Sequence, residues 1–342
     1  MHIKKLVKKD VAALTAYSAK EIPCRVKLDA NESPYGFEDA LASVNKIKTN
    51  RYPDPEAKAL KAMLARDLGI RQSNILQGNG SDELIYNLIT TFGGPILYPV
   101  PTFSMYGIIS QALGEKRREV PLDSEFDLAL DKMLSAIKRD RPKIIFLSSP
   151  NNPTGNCFSS EKMLKIIDAS KGIVVVDEAY QAFSGEKGFL PMLGDFRNLV
   201  IMRTLSKIGL AALRFGFMIA SEEIIEEVNK VRLPFNVNSL SQAVAVEALR
   251  KKKSLKQAIR NISEERDRMF SRMEEVKGVH PFPSEANFIL FRVDDPKKVY
   301  RGLLEKGVLV RDMSNAIKGC LRVTVGSPEE NSIFLKRLAQ IL

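Results

Sequence analysis

The chain has 342 residues, 44% hydrophobic and 27% charged, which is ordinary globular composition, argues against disorder and suggests about two domains. Lys and Arg number 52 against 41 Asp and Glu, a net charge of +11, but the densest basic runs (Lys116-Arg117-Arg118 and Arg250 to Lys253) carry no interleaved aromatics, so nucleic-acid binding is not expected. No apolar run reaches the roughly 18 residues of a membrane helix. His2 and His280 have no metal or triad motif around them, and Cys24, Cys157 and Cys320 are too far apart for a disulfide framework or zinc ribbon.

The basic N-terminus is followed by no apolar core, so no secretory signal is read and a cytoplasmic location is expected. The first 50 residues read as irregular, punctuated by Pro23, Pro34 and Gly36. From Pro55 to Leu68 the apolar residues Leu60, Met63, Leu64 and Leu68 recur at helical spacing, and Gly69 ends the run. A second helix is predicted after Gly78-Asn79-Gly80, starting at Ser81 or Asp82 and burying Leu84, Ile85, Leu88 and Ile89. Strands are then predicted at Ile96 to Tyr98, Lys116 to Val120, Ile144 to Leu147, Ile173 to Val176, Leu199 to Met202 and Phe215 to Ile219. Helices at Met105 to Leu113, Leu128 to Lys138 and Glu161 to Ser170 alternate with them. Short continuous apolar strands alternating with helices predict an α/β fold with a mostly parallel central sheet covered on both faces.

After about residue 238 the pattern changes. One long helical stretch, Leu240 to Val276, precedes strands near Phe288 to Leu290, Val308 to Val310 and Leu321 to Val325, with helices at Pro296 to Lys306 and Pro328 to Leu342. This predicts a smaller α+β domain closely packed on the first. The chain is read as an N-terminal arm (1–30), a large domain (31–238) and a small domain (239–342) against which the arm packs.

Four segments carry chemistry. Asn198 to Lys207 is a strand running into a polar turn that ends on a lysine; it suits a Schiff-base lysine and a surface lysine equally. Ile173-Val-Val-Val-Asp177-Glu-Ala-Tyr180 sets an aspartate at the carboxyl end of a buried strand, where open α/β sheets bind ligands. A carboxylate there needs a positive partner, and a protonated pyridine nitrogen would serve, with Tyr180 near the ring's phenolate oxygen; a helix N-cap is the plainer alternative. In Ser148-Ser-Pro-Asn-Asn152-Pro-Thr-Gly155 the following proline holds Asn152 outside the helical region, though a simple turn has the same composition. Gly78-Asn-Gly-Ser81-Asp82, opening a helix, offers free N–H groups and the positive end of the helix dipole to an anion such as phosphate.

In this order, the four segments resemble those of the class I/II aminotransferases, pyridoxal-phosphate (PLP) enzymes of fold type I, over nearly the whole chain. Within that group Leu28-Asp-Ala-Asn31-Glu-Ser-Pro-Tyr-Gly36, Arg51-Tyr52-Pro-Asp-Pro55, Pro101-Thr-Phe-Ser-Met-Tyr106 and Gly319-Cys-Leu-Arg322-Val-Thr-Val-Gly326 look like segments of the histidinol-phosphate aminotransferase family. The resemblance implies a large α/β domain plus a smaller α+β domain, PLP as cofactor, no metal, and a homodimer with shared active sites. It also implies histidinol phosphate and glutamate/2-oxoglutarate as substrates. Lys207 would be the Schiff-base lysine, Asp177 would keep the pyridine nitrogen protonated, and Tyr180 and Asn152 would hold the phenolate oxygen. The phosphate would sit on Gly80, Ser81 and Asp82, aided by Thr204, Ser206 and Arg214, with Tyr52 arriving from a second subunit and Phe103 stacking on the ring. Tyr17, Asn31, Tyr106, Arg311 and Arg322 would line the substrate site.

Two departures bear on the phosphate contacts. Lys207 and Arg214 are seven residues apart where the family spacing is eight, and Ala212 stands where glycine is frequent. Threonine-phosphate decarboxylases and aromatic or broad-range aminotransferases look similar and remain alternatives. So does a non-catalytic regulator or nucleic-acid-binding protein of the same fold, against which the intact set of Lys207, Asp177 and Tyr180 speaks.

Overall fold

In the computed structural model, which describes residues 2–16 and 22–342, the apolar runs of the middle of the chain form one seven-stranded sheet. After the short N-terminal strand β1 (Val26–Lys27), its members are β2 (Ile75–Gly78), β3 (Ile96–Val100), β4 (Arg117–Pro121), β5 (Ile144–Ser148), β6 (Ile173–Asp177), β7 (Leu199–Thr204) and β8 (Gly216–Ile219). Their order across the sheet is β2-β8-β7-β6-β5-β3-β4, and every pairing is parallel except the two made by β8.

The central strands read as continuous apolar runs because both faces are covered. Leu147, Val174, Val176, Leu199 and Ile201 point into one core, while Phe146, Val175, Val200 and Met202 point into the other, beneath Leu84, Ile85 and Leu88 of the helix Ser81–Phe92. β2 escapes the sequence pattern: with only Ile75 and Leu76 as apolar residues before Gln77 and Gly78, it is too short to show a period.

The helices Lys58–Leu68, Met105–Leu113, Leu130–Asp140 and Ser160–Ala169 stand close to their expected positions, and Glu222–Asn229 is an additional short one. The single long helix expected from 240 to 276 is instead two, Ser239–Arg250 and Lys252–Glu274, broken at Lys251. The break lets one stretch of chain serve two cores. Val244, Ala245, Ala248 and Leu249 bury into the core of the large sheet, whereas Ile262, Met269 and Met273 bury into a second core further along.

That second core lies under an antiparallel sheet of β9 (His280–Pro281), β10 (Phe288–Arg292), β12 (Arg311–Asp312) and β13 (Cys320–Thr324), in the order β12-β13-β10-β9. The helices Pro296–Glu305 and Pro328–Ile341 cover it, the latter opened by a capping box between Ser327 and Glu330. β1 pairs in parallel with β11 (Val308–Leu309), so Val26 and Leu28 join the C-terminal core. The first 50 residues also hold short helical turns at Ile3–Leu6, Lys9–Ala12 and Glu38–Lys46. Among the described residues no helix is long and apolar enough to cross a membrane.

Candidate active site

β5 and β6 end level with one another, Ser148 in register with Asp177, and β7, whose Met202 pairs with Asp177, runs two residues further. The residues just beyond these ends therefore converge at one edge of the sheet. Asp177, only 4% exposed, forms the floor. Its Oδ2 accepts the Tyr106 hydroxyl at 2.6 Å and its Oδ1 accepts the Ala179 N–H at 3.1 Å. Burial raises its pKa from 3.8 to about 6, and the nearby negative charges of Asp82 and Glu178 push the same way, against the two hydrogen bonds. A buried carboxylate held this way is stabilised by a cationic or N–H ligand group brought up to it.

The lysine turn lies beside this floor. Lys207 sits in the tight turn Ser206–Ile208 that follows β7, with its Nζ 5.8 Å from the centre of the Tyr180 ring. The Thr204 hydroxyl lies 3.0 Å from Ser206 Oγ and accepts the Ser206 N–H at 3.1 Å, which fixes the start of the turn. Arg214, in the left-handed conformation with φ 50°, swings back so that its Nη1 donates to Ser206 Oγ at 3.5 Å and its Nη2 lies 3.6 Å from Asp82 Oδ2. The seven-residue spacing thus still delivers the guanidinium to the start of the helix Ser81–Phe92.

Two glycines make this cup possible. A Cβ on Gly80, at φ 83°, would come within 2.7 Å of Arg214 Nη2, and one on Gly216 would come within 2.7 Å of the Ser81 backbone nitrogen. Gly80, Ser81, Asp82, Thr204, Ser206 and Arg214 are therefore brought together around a helix N-terminus, an arrangement suited to a phosphate.

The opposite wall comes from the C-terminal sheet and the arm. Arg322, buried on β13, donates from Nη1 to Asn152 Oδ1 at 2.5 Å and from Nη2 to the Asp29 carbonyl at 2.9 Å, with its guanidinium over the Phe288 ring. Asn31, left-handed at φ 55°, donates from Nδ2 to the Tyr180 hydroxyl at 2.9 Å. Its backbone is held by Thr324 Oγ1, which accepts the Asn31 N–H, and by Asn287 Nδ2, which donates to the Asn31 carbonyl. Arg311 is exposed on β12, in register beside Arg322.

The remaining expected site residues are distributed more widely. Phe103 is partly buried and packs edge-on against Tyr106 at 5.6 Å. Tyr106 itself is fully buried, with its hydroxyl committed to Asp177, and so stands behind the floor instead of lining an open cleft. Tyr52 is 82% exposed and stacks on Phe235 at 4.6 Å. Tyr17 lies outside the described residues.

Several residues at the site escape sequence reasoning. Asn151, fully buried, accepts from Thr102 and donates to the Pro101 carbonyl and Thr154, which knits the two loops beyond β3 and β5. Glu178 is buried, with its Oε2 accepting from both Nε and Nη2 of Arg203, at 2.8 and 2.7 Å, and its Oε1 accepting the Phe189 N–H. The available signal was an arginine inside the otherwise apolar run Leu199–Thr204, which a buried strand tolerates only when it is paired.

The family of class I and II aminotransferases matches the chain over residues 24–338. A histidinol-phosphate aminotransferase of Aquifex aeolicus is 43% identical, covering 98% of both chains, and one of Thermoanaerobacter sp. is 41% identical, covering 99% of both. Among solved structures, a histidinol-phosphate aminotransferase from Sinorhizobium meliloti in complex with pyridoxal-5'-phosphate has a TM-score of 0.87 at 23% identity, over 98% of this chain and 97% of that one, a likeness of fold.

Proposed function

This chain belongs to the class I and II aminotransferase family, and from that premise we propose that it uses PLP to move the amino group of L-histidinol phosphate to 2-oxoglutarate. The products are imidazole-acetol phosphate and L-glutamate, a step of histidine biosynthesis carried out in the cytoplasm. The observation that carries this reading is the convergence of Lys207, buried Asp177 and the glycine-lined cup at one end of the sheet. The substrate follows from the names of relatives that match end to end, which also favours transamination over the decarboxylase alternative.

The residues fit the cofactor. Gly80, Ser81, Asp82, Thr204, Ser206 and Arg214 would hold its phosphate, and a side chain at Gly80 would fill that cradle. Asp177 would face the ring nitrogen, Tyr180 and Asn152 the ring oxygen, and Phe103 the ring face. When bound, PLP supplies an electron sink that acidifies the amino-bearing carbon of the substrate.

The chain's own groups do the rest. Asp177, with both oxygens already hydrogen-bonded, would present an anion to the cofactor's ring nitrogen and favour its protonated form. The Tyr180 hydroxyl accepts from Asn31, so its own proton is directed outward as a donor. Lys207, in the turn after β7, would hold the cofactor through its Nζ and, as a free amine, would be the base that takes up and gives back a proton at the substrate Cα. Arg322 grips a phosphate or a carboxylate in two-point fashion, so one site serves both half-reactions.

A homodimer with shared sites completes the reading. Tyr52, Leu233 and Leu240 are 82%, 69% and 52% exposed, large apolar side chains left open that a second copy would cover. From that copy Tyr52 would reach the phosphate.

The test is a pair of half-reactions on purified, PLP-loaded protein. Histidinol phosphate alone should convert the cofactor to its amine form, and 2-oxoglutarate should then restore it, with ping-pong kinetics. No conversion by histidinol phosphate, with release of carbon dioxide from threonine phosphate instead, would overturn the assignment in favour of the decarboxylase.

A further inference from the structure

Tyr106 lies in the first turn of the helix Met105–Leu113, fully buried. Its ring stacks on Phe146 at 4.5 Å with the planes 6° apart, and the Phe103 ring meets it edge-on at 5.6 Å. These contacts leave the phenol one orientation, with the hydroxyl 2.6 Å from Asp177 Oδ2. Burial, and after it the negative charge of Asp177, raises the Tyr106 pKa, so the hydroxyl stays protonated and acts as the donor.

The charges that act most strongly on Asp177 are those of Asp82, from the helix Ser81–Phe92, and Glu178, next along its own chain; both are acidic and both favour the neutral carboxyl. Against them stand two donors, the Ala179 N–H on Oδ1 and Tyr106 on Oδ2. The backbone donor, two residues away, bonds only Oδ1. Tyr106, 71 residues away in sequence, reaches Oδ2 from a different helix.

We infer that Tyr106 is a positioning residue of the reaction: its hydroxyl holds the Asp177 carboxylate ionised and oriented for the ring nitrogen of the bound cofactor. The inference rests on the PLP reading above. It differs from a substrate-lining role, because Tyr106 acts through Asp177 and touches neither substrate nor cofactor.

The experiment uses Tyr106→Phe, which keeps both ring contacts and removes only the hydroxyl. In the apoenzyme, the carboxyl band of Asp177 is followed against pH by infrared difference spectroscopy, with Asp177→Asn subtracted. The midpoint is expected to rise by about one pH unit in Tyr106→Phe, since a lost donor destabilises the anion. 3-Fluorotyrosine at position 106, a stronger donor, is expected to move it down and keeps the test alive if Tyr106→Phe does not fold. Pyridoxal phosphate affinity, measured by equilibrium dialysis, should weaken about tenfold on Tyr106→Phe in the wild-type background and stay unchanged in the Asp177→Asn background. An unmoved midpoint, or equal losses of affinity in both backgrounds, would overturn the inference alone. Wild-type apoenzyme that takes up no pyridoxal phosphate would overturn the cofactor reading and the inference with it.

Discussion

Asp177 shows how a single side chain can be unfavourable for the fold and yet central to the proposed site. Its pKa lies near 6 in the folded apoprotein against 3.8 for an ordinary aspartate, so the folded state binds more protons than the unfolded one between those values. Stability contributed by the protonated carboxyl is therefore complete below pH 4 and is lost as the pH rises towards 6. The gap is worth about 3 kcal/mol. Asp177→Asn is accordingly expected to make the apoprotein more stable at pH 7.5 by up to that amount, with the advantage vanishing below pH 4 in urea denaturation. The same variant should lose about a thousandfold in turnover, because a neutral amide cannot hold a charged ring nitrogen. A variant no more stable than wild type across that range would show that the buried carboxylate carries no penalty. Arg322 is the second such residue. Arg322→Lys replaces a planar fork by a point charge and gives up the bonds to Asn152 and Asp29, so KM for histidinol phosphate and for glutamate should each rise roughly tenfold. A rise confined to glutamate would place the substrate phosphate elsewhere. Asp177 was legible in the sequence because a carboxylate at the end of an apolar strand is costly to bury unless a positive group comes to meet it. Its bond to Tyr106 was not, since a tyrosine on an apolar helix reads as core and nothing local marks its distant partner.

At the level of elements, the cup depends on how closely a helix start can approach a strand. Gly216 of β8 lies between Thr204 of β7 and Gly78 of β2, and the Ser81 nitrogen comes within 2.7 Å of where its Cβ would be. Gly216→Ala meets backbone atoms at 2.7 and 2.8 Å, and backbone cannot rotate aside as a side chain can. The expected cost is about 1–3 kcal/mol of stability, together with a tenfold or greater loss of pyridoxal phosphate affinity as the helix start is displaced. Chemical denaturation and equilibrium dialysis would check both, and wild-type affinity in the variant would show that the helix start is not a wall of the cup. The sequence announced β3 to β8, and missed β2, where only Ile75 and Leu76 are apolar. It also joined the helices on either side of Lys251, because both keep the same period and differ only in which core they face.

On the scale of the whole molecule, the bond from Arg322 to Asn152 ties the C-terminal sheet to the loop beyond β5, while Asn31, held by Thr324 and Asn287, donates to Tyr180, which packs in the C-terminal core. If Tyr52 serves the neighbouring copy, a chain carrying Tyr52→Arg and a chain carrying Lys207→Ala are each inactive alone. A mixed dimer of the two then has one intact site. By the symmetry of such a pair, a fully exchanged equal mixture should regain about a quarter of wild-type activity. No recovery despite demonstrated subunit exchange would confine Tyr52 to its own chain. The pairing of β1 with β11 has a further consequence, in time. Val26 has Val308 as its partner, and Asn31, just downstream, takes its hold from Thr324. At about 5–20 residues per second, these early residues wait roughly 15 to 55 seconds on the ribosome before their partners are made. The large sheet can form in that interval, but the Tyr180 hydroxyl gains its Asn31 donor only after the last strand emerges. A nascent chain is therefore silent until it is nearly finished, and its earliest segment is the last to find its place.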